Sequence, residues 1–397
     1  MMAAREPRRR RRRRRPGLLG AWALLGAGVA LLARAVAGAR PGGVPRTSIG
    51  ATQPEGAVGV FWRGEGGYYC IKIPSLVAAD GILLALGEGR RGSCKDSAPT
   101  DIVAKRSLDG GRSWGELSIV ASLADHTLGN AAPIVVEPAE SGSNLRKEES
   151  STIVLPFCQD NKSVWLTRSA DSGLTWSLPR PILEASDPSW TWVGLGPPAG
   201  IRLSSGRLLV PAYRTRSGPR LDATLSHGYA LWSDDGGRTW TRGRAFGGLH
   251  QVNEGQIVEL ANGRLLLNAR GVLPWRLQAT SDDGGVSFQN VRRVPSLGAP
   301  LDGCEGSLLN RGGELLYSGP TGPALFRRGL ALHSSSDEGG TYQKVRTVFR
   351  GASGYSALAD LGEGGVGLLF ETSNRTQLIF EPDCISFEVV CGEGECR

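Results

Sequence analysis

SDDGGRTW, residues 233–240, is one of five near-copies of a single phrase. SLDGGRSW occupies 107–114, SADSGLTW 169–176, SDDGGVSF 281–288 and SSDEGGTY 335–342. Each reads Ser-x-Asp-x-Gly-x-Ser/Thr-aromatic. Ser and Asp side chains hydrogen-bond nearby backbone and hold a turn, while Gly permits positive φ. The closing aromatic (Trp114, Trp176, Trp240, Phe288 or Tyr342) buries its ring against a sheet. A calcium loop would need the D-x-[DN]-x-[DN]-G spacing, which is missing. The five copies therefore read as scaffold that braces turns.

Working outward, each copy closes a longer unit. Six short apolar runs recur: GILLAL from Gly81, TIVLPF from Thr152, GRLLVPAY from Gly206, GRLLLNAR from Gly263, GELLYS from Gly313 and GVGLLFE from Gly365. After each of the first five comes a second strand-like run (DIVAKRS, SVWLTRS, GYALWS, RLQATS, GLALHS) that leads into the repeated phrase. A unit of roughly 50–60 residues with about four short strands is a propeller blade. The prediction is an all-β, six-bladed β-propeller with four-stranded antiparallel blades over residues 59–397. The composition, with 57 Gly and 23 Pro, suits turn-rich β structure.

The formal charge of +8 comes from the N-terminus, where Arg8–Arg15 form an unbroken basic run. The remainder is close to neutral, which argues against nucleic acid as a partner. An uncharged stretch from Gly17 to Ala33 follows, then small residues at Ala35 and Ala37. This order reads as a secretory signal or a signal anchor over residues 1–40, with a linker over 41–58. The run is at the short limit for a membrane span, so membrane association through it stays open beside cleavage. Sequons at Asn161 and Asn374 agree with a secretory route. Of seven cysteines, Cys384, Cys391 and Cys396 crowd the tail, where a disulfide is expected; Cys70 and Cys158 read as buried apolar residues. Only four His are present, none beside a Cys pair, so no zinc site is expected.

Just past the ends of the repeated apolar strands stand Arg90, Arg214 and Arg270, and Glu371 after the last. Buried guanidinium is costly without an anion, so arginines gathered at one channel mouth point to an acidic ligand. Several segments then appear in a fixed order: YYCIKIPSLV (68–77), GEGRRGSCKD (87–96), NEGQIVELANGRLLLNARG (253–271), LFRRGLALHSSSDEGG (325–340) and SGYSAL (353–358). Together with the repeated phrase, this set resembles the exo-α-sialidase family, in particular lysosomal-type animal sialidases and their microbial relatives.

The resemblance implies hydrolysis of terminal α-linked sialic acids from glycoconjugates, with retention and without a cofactor. Tyr355 would be the nucleophile and Glu254 the base that takes its proton. A neutral phenol meets less repulsion from the substrate carboxylate than a carboxylate nucleophile would, and the tyrosine of sialidases is a named exception among glycosidases. Asp96 would protonate the leaving oxygen and later activate water. Arg270 and Arg327 would clamp the carboxylate, with Arg328 competing for the second role. Arg90 would contact a ring hydroxyl, Glu371 would orient the first member of the cationic triad, and Asp160 would face the acyl-amino pocket, unless Asn161 beside it carries a glycan.

One position departs from the family. Lys72 stands where the resemblance expects an arginine, so a planar fork is replaced by a compact charge. Weaker binding, a related 2-keto acid sugar, transfer to an acceptor sugar, or a lapsed sialoglycan-binding propeller are the alternatives. Tyr355, Glu254 and Asp96 argue against the last, because a binding module needs no nucleophile.

Overall fold

In a computed structural model, the described residues are 54, 56–138, 150–216, 225–271, 274–301, 303–321, 326–374 and 381–391. The expected signal or anchor, and Cys396, lie outside them. Among the described residues no helix is long and apolar enough to cross a membrane.

The chain forms six antiparallel blades. Blade one runs Cys70–Ala79, Ile82–Arg90, Thr100–Ser107 and Ser118–Ala121 from the axis outward. Blade two has a split inner strand (Leu128–Gly129 and Ile134–Val136), then Thr152–Gln159, Ser163–Ser169 and Arg180–Pro181. In blade three the inner strand is Trp190–Leu195 with Ile201–Arg202, followed by Leu208–Arg216, His227–Ser233 and Thr241–Arg242. Blade four is Gly255–Glu259, Leu265–Arg270, Trp275–Ser281 and Gln289–Gly298. The long strand Gln343–Asp360 serves two blades. Its first half is the outer strand of blade five, beside Arg328–Ser335, and its second half is the inner strand of blade six, beside Val366–Ser373. Blade six ends with Cys384–Cys391 and, from the other end of the domain, Val58–Trp62.

That last pairing explains why six blades carry five copies of the repeated phrase. The phrase occupies the turn from the third strand to the outer strand. In blade six that turn does not exist, because Val58–Trp62 supplies the outer strand. The repeated apolar runs are the second strands of their blades. The innermost strands, such as Cys70–Ala79 and Gly255–Glu259, have no repeated signature.

Each phrase folds the same way. In the copy at 233–240, Ser233 Oγ donates to Asp235 Oδ1 at 2.8 Å and accepts the Gly237 amide at 2.8 Å; Thr239 donates its amide and hydroxyl to the same aspartate at 2.9 and 2.7 Å. The other four copies repeat these contacts. The Thr239 and Thr341 amides, and the Ser113 hydroxyl, hold Asp235, Asp337 and Asp109 down to about 2, so the turns keep their charge in mildly acidic media.

The glycine of each phrase also sits against the preceding blade. A Cβ at Gly173 would fall 2.7 Å from Leu84, one at Gly285 2.5 Å from Leu209, and one at Gly111 inside the Phe387 ring. Six apolar clusters fill the six blade junctions, so neighbouring blades share one continuous belt of core.

Gly110 and Gly111 separate the two demands on glycine. Both have positive φ, but only Gly111 meets a neighbour. Gly110→Ala should cost about 1 kcal/mol from backbone conformation. Gly111→Ala should cost about 2–4 kcal/mol because overpacking against Phe387 is added. Urea midpoints measure both, and equal losses would mean that the turn does not wedge the blades.

Candidate active site

The ends of the second strands do gather at one face, around a cavity of ≈ 370 Å³ that Arg90, Asp96, Glu254, Arg270 and Tyr355 all line. The centre of this site rests on two irregularities in neighbouring inner strands. Pairing slips between Lys72 and Ser75 in blade one, where Ile73 adopts φ +55°, and between Ser353 and Ser356 in blade six. A β-branched residue at positive φ is strained backbone of the kind that persists when its surroundings over-determine it. Bulges re-aim side chains, and here they present Lys72 and Tyr355. The buried carboxylate of Glu371 joins them: Oε1 accepts the Ile73 amide at 3.0 Å and Oε2 the Tyr355 amide at 3.1 Å.

Tyr355 is itself buried, packed with Ile73 and Cys304. Its hydroxyl donates to Glu254 Oε1 at 2.5 Å. Arg270 Nη1 donates to Glu254 Oε2 at 2.9 Å and to the Tyr355 oxygen at 3.3 Å. Glu254 immediately precedes the inner strand of blade four and Arg270 ends the next one. The Arg270 amide donates to the Glu254 carbonyl at 2.7 Å and the Asn253 amide to the Arg270 carbonyl at 3.1 Å, which keeps Glu254 and Arg270 side by side. Burial, followed by the Glu254 charge, raises the phenol well above its usual range, against the pull of Arg270 and Arg327. The resting hydroxyl is therefore protonated and aimed at its acceptor. Burial opposes the charge of Arg270, but the charge and hydrogen bond of Glu254, with smaller contributions from Tyr355 and Cys304, together outweigh it and hold the guanidinium cationic.

The cations surround this pair. The Arg327 guanidinium carbon lies 5.7 Å from the centroid of the Tyr355 ring, whereas Arg328 enters the sheet and pairs with Ala352. Lys72 is buried; burial lowers its pKa, and the Glu371 carboxylate works in the opposite direction. The disulfide Cys70–Cys94, with Cα atoms 5.8 Å apart, ties its strand to the loop that carries Asp96. Cys70 is thus a staple, against the expectation of a plain buried residue. Cys158 and Cys304 are free and buried, and Cys391 is disulfide-bonded to a partner outside the described residues.

Arg90 lines the cavity and is also held from within the protein. Its Nη2 donates to Glu88 Oε2 at 2.7 Å, and its Nη1 donates to the Cys94 carbonyl and to Asp96 Oδ1, both at 2.7 Å. Arg90 is thereby engaged on three sides and anchors Asp96, whose side chain is 77% exposed. Partial desolvation raises the Asp96 pKa, but Arg90, Lys72 and Arg327 more than offset it and leave the carboxyl below its ordinary value.

Asp160 departs from its expected place. Its carboxylate accepts the Thr127 amide at 2.9 Å and pairs with His126 Nδ1 at 2.6 Å, and it does not line the cavity. Its neighbour Asn161 lines the wall instead, with its side-chain amide donating to Asn130 Oδ1 at 3.2 Å and to the Val193 carbonyl at 3.3 Å. A glycan on that nitrogen would fill the cavity. Both residues have φ near +50°, and this turn reverses which of the two faces inward.

Several wall residues carried no sequence signal. Trp192 and Tyr213 meet through an Nε1–Oη hydrogen bond of 3.2 Å, and Asn253 Oδ1 accepts the Glu254 amide at 2.7 Å. Glu305 is a further buried carboxyl near Tyr355. Its Oε2 accepts the amide of Ser356 at 2.9 Å, while Oε1 has no partner among the described residues. Burial raises its pKa well above the usual range; Glu254 and Glu371 add to this, and Arg276 opposes it. Arg276, fully buried, fixes the segment by donating to the Cys304 carbonyl at 2.6 Å. Among the described residues no group of His, Cys, Asp or Glu could hold a metal ion.

A carboxyl whose pKa is raised by folding contributes stability below its unfolded pKa and loses it as pH rises toward the folded value. Glu305 should therefore cost up to about 1.4 kcal/mol per pH unit above roughly pH 4.3 while it stays protonated. Glu305→Gln removes that slope. The Tm difference between variant and native protein should widen from pH 4 to pH 7. A constant difference would mean that Glu305 is ionised throughout.

Residues 81–368 match the BNR repeat-like domain family. The chain is similar to a sialidase of Micromonospora viridifaciens, at 31% identity over 384 residues that cover 86% of this chain and 56% of the relative. It is also similar to Sialidase-4 of Homo sapiens, at 32% identity over 291 residues, covering 67% and 58% respectively. The chain thus spans little more than half the length of these curated relatives. Among solved structures it resembles the Hadza microbial sialidase Hz136, with a TM-score of 0.70, 26% identity, and coverage of 84% of this chain and 68% of that one. With the repeat turns and the ordered site segments, these matches show that the chain belongs to the BNR repeat-like domain family, with sialidases among its relatives.

Proposed function

We propose that this protein is a retaining exo-α-sialidase that removes terminal α-linked sialic acids from glycoproteins, glycolipids or oligosaccharides. The observation that carries the reading is the protonated Tyr355 hydroxyl donating to Glu254 at 2.5 Å, beside Arg270, in a cavity that Asp96 also lines. Lys72, Arg270 and Arg327 supply the positive charge that a substrate carboxylate needs. In the first half-reaction the Tyr355 oxygen bonds to the anomeric carbon as its proton passes to Glu254. The glycosidic bond breaks, and Asp96 protonates the departing oxygen. In the second half water attacks the anomeric carbon, Asp96 takes its proton, and Glu254 returns a proton to the phenolate. Two displacements at one carbon retain its configuration.

The Arg90 ion pair bears on the first half more than on the second. It favours the charged form of Asp96, which is ready as a base, so acid action calls for low pH or release from Arg90. A secretory route to an acidic lumen or the cell surface fits this chemistry. The basic-then-apolar N-terminal run and the Cys70–Cys94 disulfide support that route.

Tyr355→Phe should reduce turnover of a fluorogenic sialoside to background while leaving the Tm within a few degrees. Asp96→Asn should lower turnover of sialylated glycans by about 10²–10⁴. It should spare kcat/KM for aryl sialosides, whose leaving groups need little protonation, while lowering their kcat because water then lacks its base. Undiminished activity of Tyr355→Phe would remove the proposed nucleophile. An equal loss of kcat/KM on both substrates would remove the acid role of Asp96.

A further inference from the structure

Blades two and three meet at a second charged surface, outside the catalytic cavity. Trp190 begins the inner strand of blade three and is half-buried. The guanidinium carbons of Arg214 and Arg242 lie 5.3 and 5.0 Å from its ring centroid. Arg216 is the cross-strand partner of Trp190, and Lys162 donates its Nζ to the Thr191 carbonyl at 2.5 Å. Among the described residues none of these four cations forms a salt bridge, and Arg214 Nη1 is buried without a hydrogen-bond acceptor. Asp187, whose charge reaches Arg214 and Arg242, forms no salt bridge with them and accepts the amide and hydroxyl of Ser189 at 2.9 and 2.7 Å.

Such a grouping has no internal reason to be stable. Burial, then the like charges of Arg216 and Arg242, push Arg214 below its ordinary guanidinium value. An anion placed between the guanidinium groups would relieve the repulsion and satisfy the orphaned donor. Planar forks on an aromatic ring suit a carboxylate or sulfate held by two parallel hydrogen bonds.

Position connects this surface to the cavity. Thr215, between Arg214 and Arg216, lines the cavity, as do Trp192 and Asn161, the latter adjacent to Lys162. Alternate residues of a strand face opposite sides, so the cations stand on the far face of the cavity's own wall. We propose that Arg214, Arg216 and Arg242, with Lys162, form a subsite for a second anionic group on the same glycan whose terminal sialic acid occupies the cavity. This inference rests on the sialidase reading and adds a substrate class to it: glycans that carry a further carboxylate or sulfate on an inner sugar.

The test compares kcat/KM for three substrates in 50 and 200 mM salt: a simple aryl sialoside, an extended glycan with a second carboxylate, and its counterpart with a sulfate ester. Native protein should favour at least one extended anionic substrate, and the preference should weaken with salt. Arg242→Gln, and the Arg214→Gln/Arg242→Gln pair, should reduce the preference about tenfold relative to the aryl sialoside. The two extended substrates tell which anion is used. No preference in native protein, or one that survives both variants, would overturn the subsite. Should nothing be turned over, the sialidase reading fails separately. Calorimetric titration with a disialyl oligosaccharide then decides the subsite, with binding lost in the variants expected and equal binding overturning it.

Discussion

One buried carboxylate fixes the geometry on which the site depends. Glu371 accepts the amide of Ile73 with one oxygen and that of Tyr355 with the other. Those amides lie in two bulges on inner strands of different blades. A bulge leaves ladder groups unpaired, and an unpaired buried amide is costly. Glu371 satisfies both amides at once and so couples the placement of Lys72 to that of Tyr355. The strained φ of Ile73 is tolerable because the same carboxylate holds it. The glutamate expected to orient one cation therefore acts first on backbone, and reaches the lysine through its charge.

The electrostatics of the centre have a consistent sense. Tyr355 is kept neutral by burial and by Glu254, so its hydroxyl waits with its proton on. Arg270 touches both partners. Asp96 stands apart on a stapled loop, held charged by a guanidinium that is itself bound to Glu88. Each of the two carboxylates thus meets an arginine, Glu254 beside the phenol and Asp96 on the exposed loop.

The scaffold was legible because its signals are local. A serine, an aspartate and a glycine four residues apart close a turn whatever surrounds them, and that turn reads the same way five times. Tyr355, Glu254, Asp96, Arg270 and Arg327 were legible through ordered segments resembling a family. What stayed hidden depends on tertiary geometry. Trp192 lies in an unremarkable strand, Tyr213 and Asn253 stand at the ends of quoted runs that gave them no role, and all three face the cavity because of where the blades meet. Glu305 is one carboxyl among many until burial singles it out. The exchange of Asp160 for Asn161 turned on a single residue in a positive-φ turn, which no pattern of side chains encodes. Cys70 likewise showed its role only when Cys94 came within reach. The missing sixth phrase became intelligible once Val58–Trp62 was seen to complete the last blade.

That ring closure has a consequence for how the chain comes into being. The outer strand of blade six is made before the rest of the propeller and its neighbour Cys384–Cys391 after it. Contacts this distant in sequence form late, because the intervening chain must first be gathered. Five blades can assemble in order as they emerge, each docking on the one before. Val58–Trp62 must wait through all of them with its edge unsatisfied. For that interval the nascent protein carries an open sheet edge at each end of an unfinished circle, and an unpaired edge invites pairing with other chains. The molecule is therefore most exposed to misassembly in the moments before Cys384–Cys391 pairs with Val58–Trp62.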